Sequence, residues 1–444
     1  MKILKFGGTS VGKPERMKSI AEITNDGEAK IVVLSAVSGT TNALVEIGEQ
    51  LSKGDKAAAQ AVVDKLWPVY TDFVANLYTS DAGKAAGTAI ITEHFDLIKS
   101  LFAQNVGDDE KKVLLAQGEL ISTKMFSQFL TEIGRKNVLL PALDFMSIDE
   151  DDEPVLSKIE SALSEILKNN SDCKYFVTQG YIALNPQGKI DNLKRGGSDY
   201  TATLIGAALR SEEVQIWTDI DGMHNNDPRI VRKTFPIREL CFEEAAELAY
   251  FGAKILHPTC IRPTMERGVP VRLLNTMQPK EKGTLISANN NSGRRITAIA
   301  AKDGITAIKI KSGRMLNAYG FLSKVFSVFE KYKTAIDVIT TSEVALSMTI
   351  DEDKNVDKII AELEQIGTVE VDKNQTIICI VGDFSADSTG VVLDIFTAMR
   401  EVPMRMISYG GSKFNTTLLV KNEHKNEALN ALNEGLFKEE LAMA

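Results

Sequence analysis

The run Lys5-Phe6-Gly7-Gly8-Thr9-Ser10-Val11 restricts the fold more than any other stretch, because it joins an apolar strand (Ile3, Leu4, Phe6) to a helix through two adjacent glycines. Glycine lets backbone N–H groups approach an anion with no Cβ in the way, and the helix N-terminus beyond adds partial positive charge. A strand that turns into a helix through such a joint opens an α/β protein with a corner suited to phosphate. Gly7 to Gly12-Lys13 has P-loop spacing, yet Pro14 stands where a magnesium-ligating Ser or Thr is required. The candidate phosphate cation is therefore Lys5, on the strand side, and Pro14 suits the first turn of the following helix.

At 444 residues the chain exceeds what one core usually supports, so two or three domains are expected. A net charge of −9 argues against broad binding to nucleic acid or to an acidic membrane, and makes any anion site local. The four cysteines and four histidines are scattered without ligand spacing, so no metal site built from protein side chains is expected and the thiols read as reduced. No run approaches the ~18 apolar residues of a membrane span. The chain also begins directly with a strand, and a cytoplasmic location is the expectation.

The βα pattern returns at Ile31 to Ser35, followed by Ala36-Val-Ser-Gly39-Thr-Thr41-Asn42 and a new helical period. Residues 43 to 135 are helix-rich, and Gln117-Gly118-Glu119 reads as the opening of a helical segment, which puts Glu119 near a helix start. Asn137 to Pro141 reads as a short strand, and the carboxylate run Asp149 to Glu153 as a solvated loop. Tyr175 to Thr178 leads to Gly180, a hairpin signal follows at Asn185-Pro-Gln-Gly188, and Lys194-Arg195-Gly196-Gly197-Ser198-Asp199 precedes another helix. Val214 to Trp217 is the next strand, with Thr218 and Asp219 at its carboxyl end, where doubly wound sheets bind ligands. This alternation through about residue 275 supports an α/β/α domain with a mostly parallel sheet, and Gly283 to Arg295 reads as a linker.

Beyond the linker the pattern changes and repeats. Leu322, Val325, Phe326 and Phe329 have helical spacing between β-rich runs, as do Val392, Ile395, Phe396 and Met399 about 70 residues later. Each is followed by a strand and a second helix, marked by Val356, Ile359, Ile360 and Leu363 in one copy and by Leu429, Leu432 and Leu436 in the other. This is a ferredoxin-like βαββαβ module twice over, an arrangement suited to ligand sensing or dimerisation.

Lys5-Phe-Gly-Gly-Thr-Ser10, Ser35 with Thr41-Asn42, Gln117-Gly-Glu119, Arg195-Gly-Gly-Ser-Asp199, Trp217-Thr-Asp219, Asp227-Pro-Arg229 and Phe251-Gly-Ala-Lys254-Ile-Leu-His-Pro258 together resemble the aspartate kinases. The C-terminal pair is similar to that family's tandem ACT domains through Gly320-Phe-Leu322, Asp337 to Glu343 and Ser408-Tyr-Gly-Gly411. The resemblance implies an amino-acid-kinase domain over residues 1–285, a first ACT domain over 296–372 and a second over 373–444, with the strand 296–301 pairing with the second module. It further implies transfer of phosphate from ATP to the side chain of L-aspartate, the first step toward lysine, threonine and methionine. An amino-acid effector, closest to lysine in type, and a homo-oligomer formed through the ACT domains complete the expectation.

These residue types suit that chemistry. A carboxylate with a pKa near 4 is already an anion at neutral pH, so the nucleophile needs no general base and the difficulty lies in bringing two anions together. Lys5 fits that task, with Gly7, Gly8 and Ser10 offering donors to phosphate. An α-amino acid presents charges of both signs, which Arg195 and Glu119 can meet. The resemblance makes the same division and adds Ser35, Thr41, Gly197 and Ser198 as substrate contacts. It assigns Asp199 to ordering Lys5, and Thr218, Asp219, Arg229, Lys254 and Ile255 to the nucleotide, with Mg2+ held mainly by phosphates. For the effector it implies Met315, Gly320, Phe321, Leu322, Asp337, Ser342 and Glu343, while Asn317 and Ala318 replace residues that usually help hold lysine. Two further departures are Met223-His224-Asn225-Asn226, where the family usually carries an aromatic residue near adenine, and Leu143 to Asp149, which keeps little of a basic loop. The rival readings are another enzyme of the same fold acting on glutamate, acetylglutamate or a nucleotide, and a non-catalytic amino-acid sensor.

Overall fold

The strand Lys2–Phe6 lies between Lys30–Leu34 and Glu213–Thr218, parallel to both, in the computed structural model. The structure describes residues 1–194, 196–252, 256–289, 293–313, 315, 319–352, 354–385 and 388–443. It divides into two compact units, one formed by Met1–Met223 with Leu256–Asn290 and the other by His224–Ile255 with Asn291–Ala444.

In the first unit the strands run in the order Val138–Leu140, Tyr175–Gln179, Lys30–Leu34, Lys2–Phe6, Glu213–Thr218, Val271–Asn275 and Thr284–Ser287. All are parallel except Thr284–Ser287, which pairs antiparallel with Val271–Asn275. Lys30–Leu34 and Tyr175–Gln179 are buried along their whole length, the signature of strands covered on both faces. On one face Leu4, Phe6, Val32 and Leu34 meet Met17 and Ile20, Leu44 and Ile47, and Leu114, Ile121 and Met125 from three helices. Because side chains alternate along a strand, Lys5 points to the opposite face, toward the helix Gly197–Ala208. Gly283 to Arg295 is not linker throughout: the β-branched Thr284 and Ile286 are fully buried within the strand Thr284–Ser287.

The helix carrying Glu119 corrects the sequence reading. It runs Asp108–Glu132, so Glu119 lies in its middle. Its start is set by Asp108, Asp109 and Glu110, whose charges suit the helix N-terminus, and Glu110 Oε2 accepts from the Gly107 N–H at 2.9 Å. Gly118 is an interior helical residue whose purpose is close approach: a Cβ there would sit 2.7 Å from Ala36 Cβ.

The second unit contains a six-stranded antiparallel sheet in the order Ile339–Thr341, Ala345–Ile350, Ile296–Lys311, Thr368–Gly382, Asn415–Lys421 and Met406–Ser408. The two long central strands belong to both halves. Residues 296–302 pair with 377–382 and residues 307–311 with 368–372, with register shifts around Lys302 and Ile305. One core collects Val325, Phe329, Val356, Ile359 and Leu363, and another Ile395, Met399, Leu429 and Leu432. Leu322 and Phe396 depart from the expected apolar faces at 39% and 36% exposure. Gly320 caps the helix Phe321–Lys331 at φ +79°, so Phe321 takes the inward position that the periodicity gave to Leu322. Among the described residues no helix is long and apolar enough to cross a membrane.

Gly118→Ala decides whether close approach or helix propensity governs this position. Alanine favours a helix by ~1 kcal/mol, but overpacking against Ala36 costs ~1–3 kcal/mol. The variant should therefore unfold at lower denaturant than wild type, and an increased midpoint would refute the packing account.

Candidate active site

The Lys5 ammonium and Asp199 Oδ1 are 2.6 Å apart, with side chains 11% and 19% exposed. The pair spans from the end of the central strand to the first turn of the helix Gly197–Ala208. Gly7 leaves room beside it, since a Cβ there would crowd Lys5 Nζ at 3.3 Å. The Gly7 N–H donates to the Trp217 carbonyl at 3.3 Å, which sets the glycine turn against the strand end carrying Thr218 and Asp219. Thr218 donates to Asp219 Oδ1 at 3.2 Å. Ser10 is buried, its hydroxyl 2.7 Å from that of Thr276.

A second group of side chains gathers at the ends of the neighbouring strands. The Ser35 hydroxyl donates to Ser198 Oγ at 2.9 Å, and Ser122 holds the Ser35 carbonyl at 2.8 Å. The Ala36 N–H donates to Glu119 Oε1 at 3.1 Å, a bond made reachable by the missing side chain at Gly118. Glu119 is 5% exposed, and its other oxygen, Oε2, is buried with no hydrogen-bond partner. Burial pushes its carboxyl up to about 7, against the opposing pull of the Ala36 N–H, its own N–H and the Lys5 charge. The Lys5 contribution places both groups within one electrostatic site.

Tyr181 also belongs here and was missed from sequence. It adopts φ +70°, rare for a residue with a side chain, and its N–H donates to Thr201 Oγ1 at 2.8 Å. Its ring lies 4.0 Å from where a Gly197 Cβ would be. Burial raises the Tyr181 phenol, and the Glu119 charge raises it further. Gly180 precedes it and cannot be replaced without collision, since a Cβ would fall 2.3 Å from the Ser198 side chain. That glycine was the available signal; nothing in the residue types announces the backbone angle at Tyr181.

Other expected residues stand apart. Thr41 is exposed on the helix Thr40–Ser52, whereas its neighbour Thr40 is buried with its hydroxyl 2.8 Å from that of Tyr70. Arg229 belongs to the second unit and forms a bidentate pair with Asp227, at 2.9 and 2.7 Å. Arg195, Lys254 and Ile255 lie outside the described residues. Asn225 and Asn226 are buried and donate to Asn433 Oδ1 at 2.9 Å and the Leu429 carbonyl at 3.1 Å, so their amides are committed to the helix Lys425–Leu436.

Similarity to known proteins extends over nearly the whole chain. Residues 1–275 match the amino acid kinase family and residues 378–436 an ACT domain. Aspartokinase 3, chloroplastic, of Arabidopsis thaliana is 33% identical and aligns with 98% of this chain and 81% of its own length. The chain belongs to the aspartokinase family. The crystal structure of E. coli aspartokinase III in complex with aspartate and ADP (R-state) matches this aspartokinase fold with a TM-score of 0.84 at 29% identity, covering 98% of this chain and 100% of the other. The structure of E. coli aspartokinase III with lysine and aspartate (T-state) matches at a TM-score of 0.80 and 29% identity, covering 98% and 99%. The amino-acid-kinase architecture with a C-terminal ACT region is thus the fold expected from the sequence.

The Glu119 carboxyl makes stability of this aspartokinase depend on pH. Between its ordinary value of 4.5 and about 7 the folded state keeps a proton that the unfolded state releases, so stability falls as pH rises through that window. Above it the buried anion costs about 3 kcal/mol. Glu119→Gln should therefore unfold later than wild type near pH 8, with the difference closing toward about pH 5. A gap that does not change with pH would remove Glu119 as its source.

Proposed function

We propose that this aspartokinase transfers the γ-phosphoryl group of ATP to the side-chain carboxylate of L-aspartate, yielding 4-phospho-L-aspartate and ADP, and that an amino acid, lysine first among the candidates, regulates it through the ACT region. One observation carries the substrate reading: Glu119 offers a buried, unpartnered carboxylate oxygen in the same electrostatic site as Lys5. An α-ammonium is the partner such an oxygen lacks, and an N-acylated amino acid has none to give.

The roles follow from charge. Glu119 holds the ammonium and Arg195 the α-carboxylate, while Ser35 and Ser198 order the acceptor, with Thr41 and the Gly197 backbone beside them. The acceptor carboxylate then faces the phosphates at the Gly7-Gly8 turn. Lys5, held by Asp199, stabilises the negative charge spread over the transferring group. Thr218, Asp219, Arg229, Lys254 and Ile255 are assigned to the nucleotide. Magnesium, implied by the ATP, would be carried mainly by phosphates and water and would neutralise phosphate charge. Asp337, with Met315, Gly320, Phe321, Leu322, Ser342 and Glu343, is assigned to the effector, and the ACT sheet to a homodimer. The reaction opens the route to lysine, threonine and methionine, consistent with a cytoplasmic enzyme.

ADP release should be observed with L-aspartate and not with L-glutamate or N-acetylglutamate, and hydroxylamine should trap the acyl phosphate. Absence of trapped product with aspartate overturns the proposal. Lys5→Ala should lower kcat by about 100-fold or more with a smaller change in KM, because its interaction strengthens in the transition state. Glu119→Ala should act mainly on KM for aspartate, raising it about 30-fold. Since the ammonium needs the ionised carboxylate, kcat/KM for aspartate should decline as pH falls through about 7. A flat profile across that value would contradict the Glu119 assignment.

A further inference from the structure

Within the second unit the helix Phe242–Tyr250 ends against the strand Ile296–Lys311, and the junction is chemical as well as steric. Gly252, at φ +119°, lies so close to this strand that a Cβ would sit 2.3 Å from the Ala301 carbonyl oxygen. One residue on, the Lys302 ammonium stands 4.5 Å from the centroid of the Tyr250 ring. Lys302 also pairs with Asp337 Oδ1 at 3.1 Å and with Asp351 Oδ2 at 2.7 Å. The Tyr250 hydroxyl donates to the same Asp337 Oδ1 at 2.7 Å. Burial pulls the Lys302 ammonium toward losing its proton, but its bonds to Asp351 and Asp337 prevail and hold it charged.

The Asp337 side chain is only 1% exposed, and its second oxygen, Oδ2, is buried without a hydrogen-bond partner. An oxygen left so incurs a desolvation cost that a structural ion pair would avoid by using both oxygens. The charges are unbalanced in the same sense, with two carboxylates, Asp337 and Asp351, around one ammonium. A single further cation at Oδ2 completes both the hydrogen bonding and the charge. The α-ammonium of an amino acid is a cation of that kind.

We propose that Tyr250 and Lys302 are positioning residues: by occupying Oδ1 they aim Oδ2 of Asp337 at the effector's ammonium, and through Tyr250 they tie filling of the effector site to the helix Phe242–Tyr250. Lys254, assigned above to the nucleotide, follows the Tyr250 strut by four residues in sequence. The inference rests on the assignment of Asp337 to the effector made above. It adds how occupancy is transmitted.

Full-length Tyr250→Phe removes one hydroxyl and leaves the ring. Calorimetry with lysine should give a dissociation constant within about threefold of wild type, while the factor by which saturating lysine reduces activity should shrink about tenfold, the loss expected for one hydrogen bond to a charged group. Activity without lysine should be unchanged. Lys302→Arg, which keeps the cation, should remain inhibited, and Lys302→Met should not. Full inhibition of Tyr250→Phe overturns the strut, and so does loss of lysine affinity in proportion to inhibition, which would make Tyr250 merely a wall of the site. Equal inhibition of the two Lys302 variants removes Lys302 from it. If wild type is silent toward lysine, threonine and methionine, or if Asp337→Asn binds lysine as wild type does, the effector assignment itself falls, a result separable from failure of the strut.

Discussion

The contact between Lys5 and Asp199 is the constraint around which the first unit is arranged. A lysine at the end of a central strand is normally free to sample solvent, and its rotamer entropy works against any fixed position. Here the carboxylate of the facing helix fixes the ammonium, and the absent side chain at Gly7 leaves room for it. Strand, glycine turn and helix must therefore keep their mutual placement for the cation to stay fixed. The sheet beneath supplies that rigidity, since its inner strands are buried on both faces.

Glu119 shows the opposite use of burial. Lys5 is held by a partner, whereas Glu119 is left with one buried oxygen without a hydrogen-bond partner. An arrangement that lowers stability of the empty protein persists where a ligand is to relieve it, the usual trade between a functional site and the fold that bears it. The same logic recurs in the second unit at Asp337, again with one oxygen committed and one open. Two carboxylates, differently placed, thus each keep one buried oxygen open.

Much of this was legible in the amino-acid order, and the failures have physical causes. The Lys5 turn could be read because a glycine turn at a strand end leaves a local signature, whereas Ser35, Ser198 and the part given to Asp199 entered only through the family resemblance. The position of Glu119 within its helix could not, because an interior glycine looks like a boundary until its neighbour, Ala36, is known. Tyr181 was invisible for a related reason: a positive φ at a non-glycine is imposed by tertiary contacts and leaves no compositional trace. In the second unit the expected strand 296–301 is only the start of one long strand, Ile296–Lys311, which passes through Asp303-Gly304 with a shift in pairing register. Local patterns report local structure, and these misreadings all concern contacts between residues distant in sequence.

The long strands Ile296–Lys311 and Thr368–Gly382 have a consequence for how this region can be divided. Neither ferredoxin-like half owns a complete set of strands, because each long strand gives one end to either half. A cut between them would expose unpaired backbone on both fragments, and grafting one half onto another enzyme would carry an orphaned edge with it. Nature and the engineer alike must exchange the regulatory region as a whole.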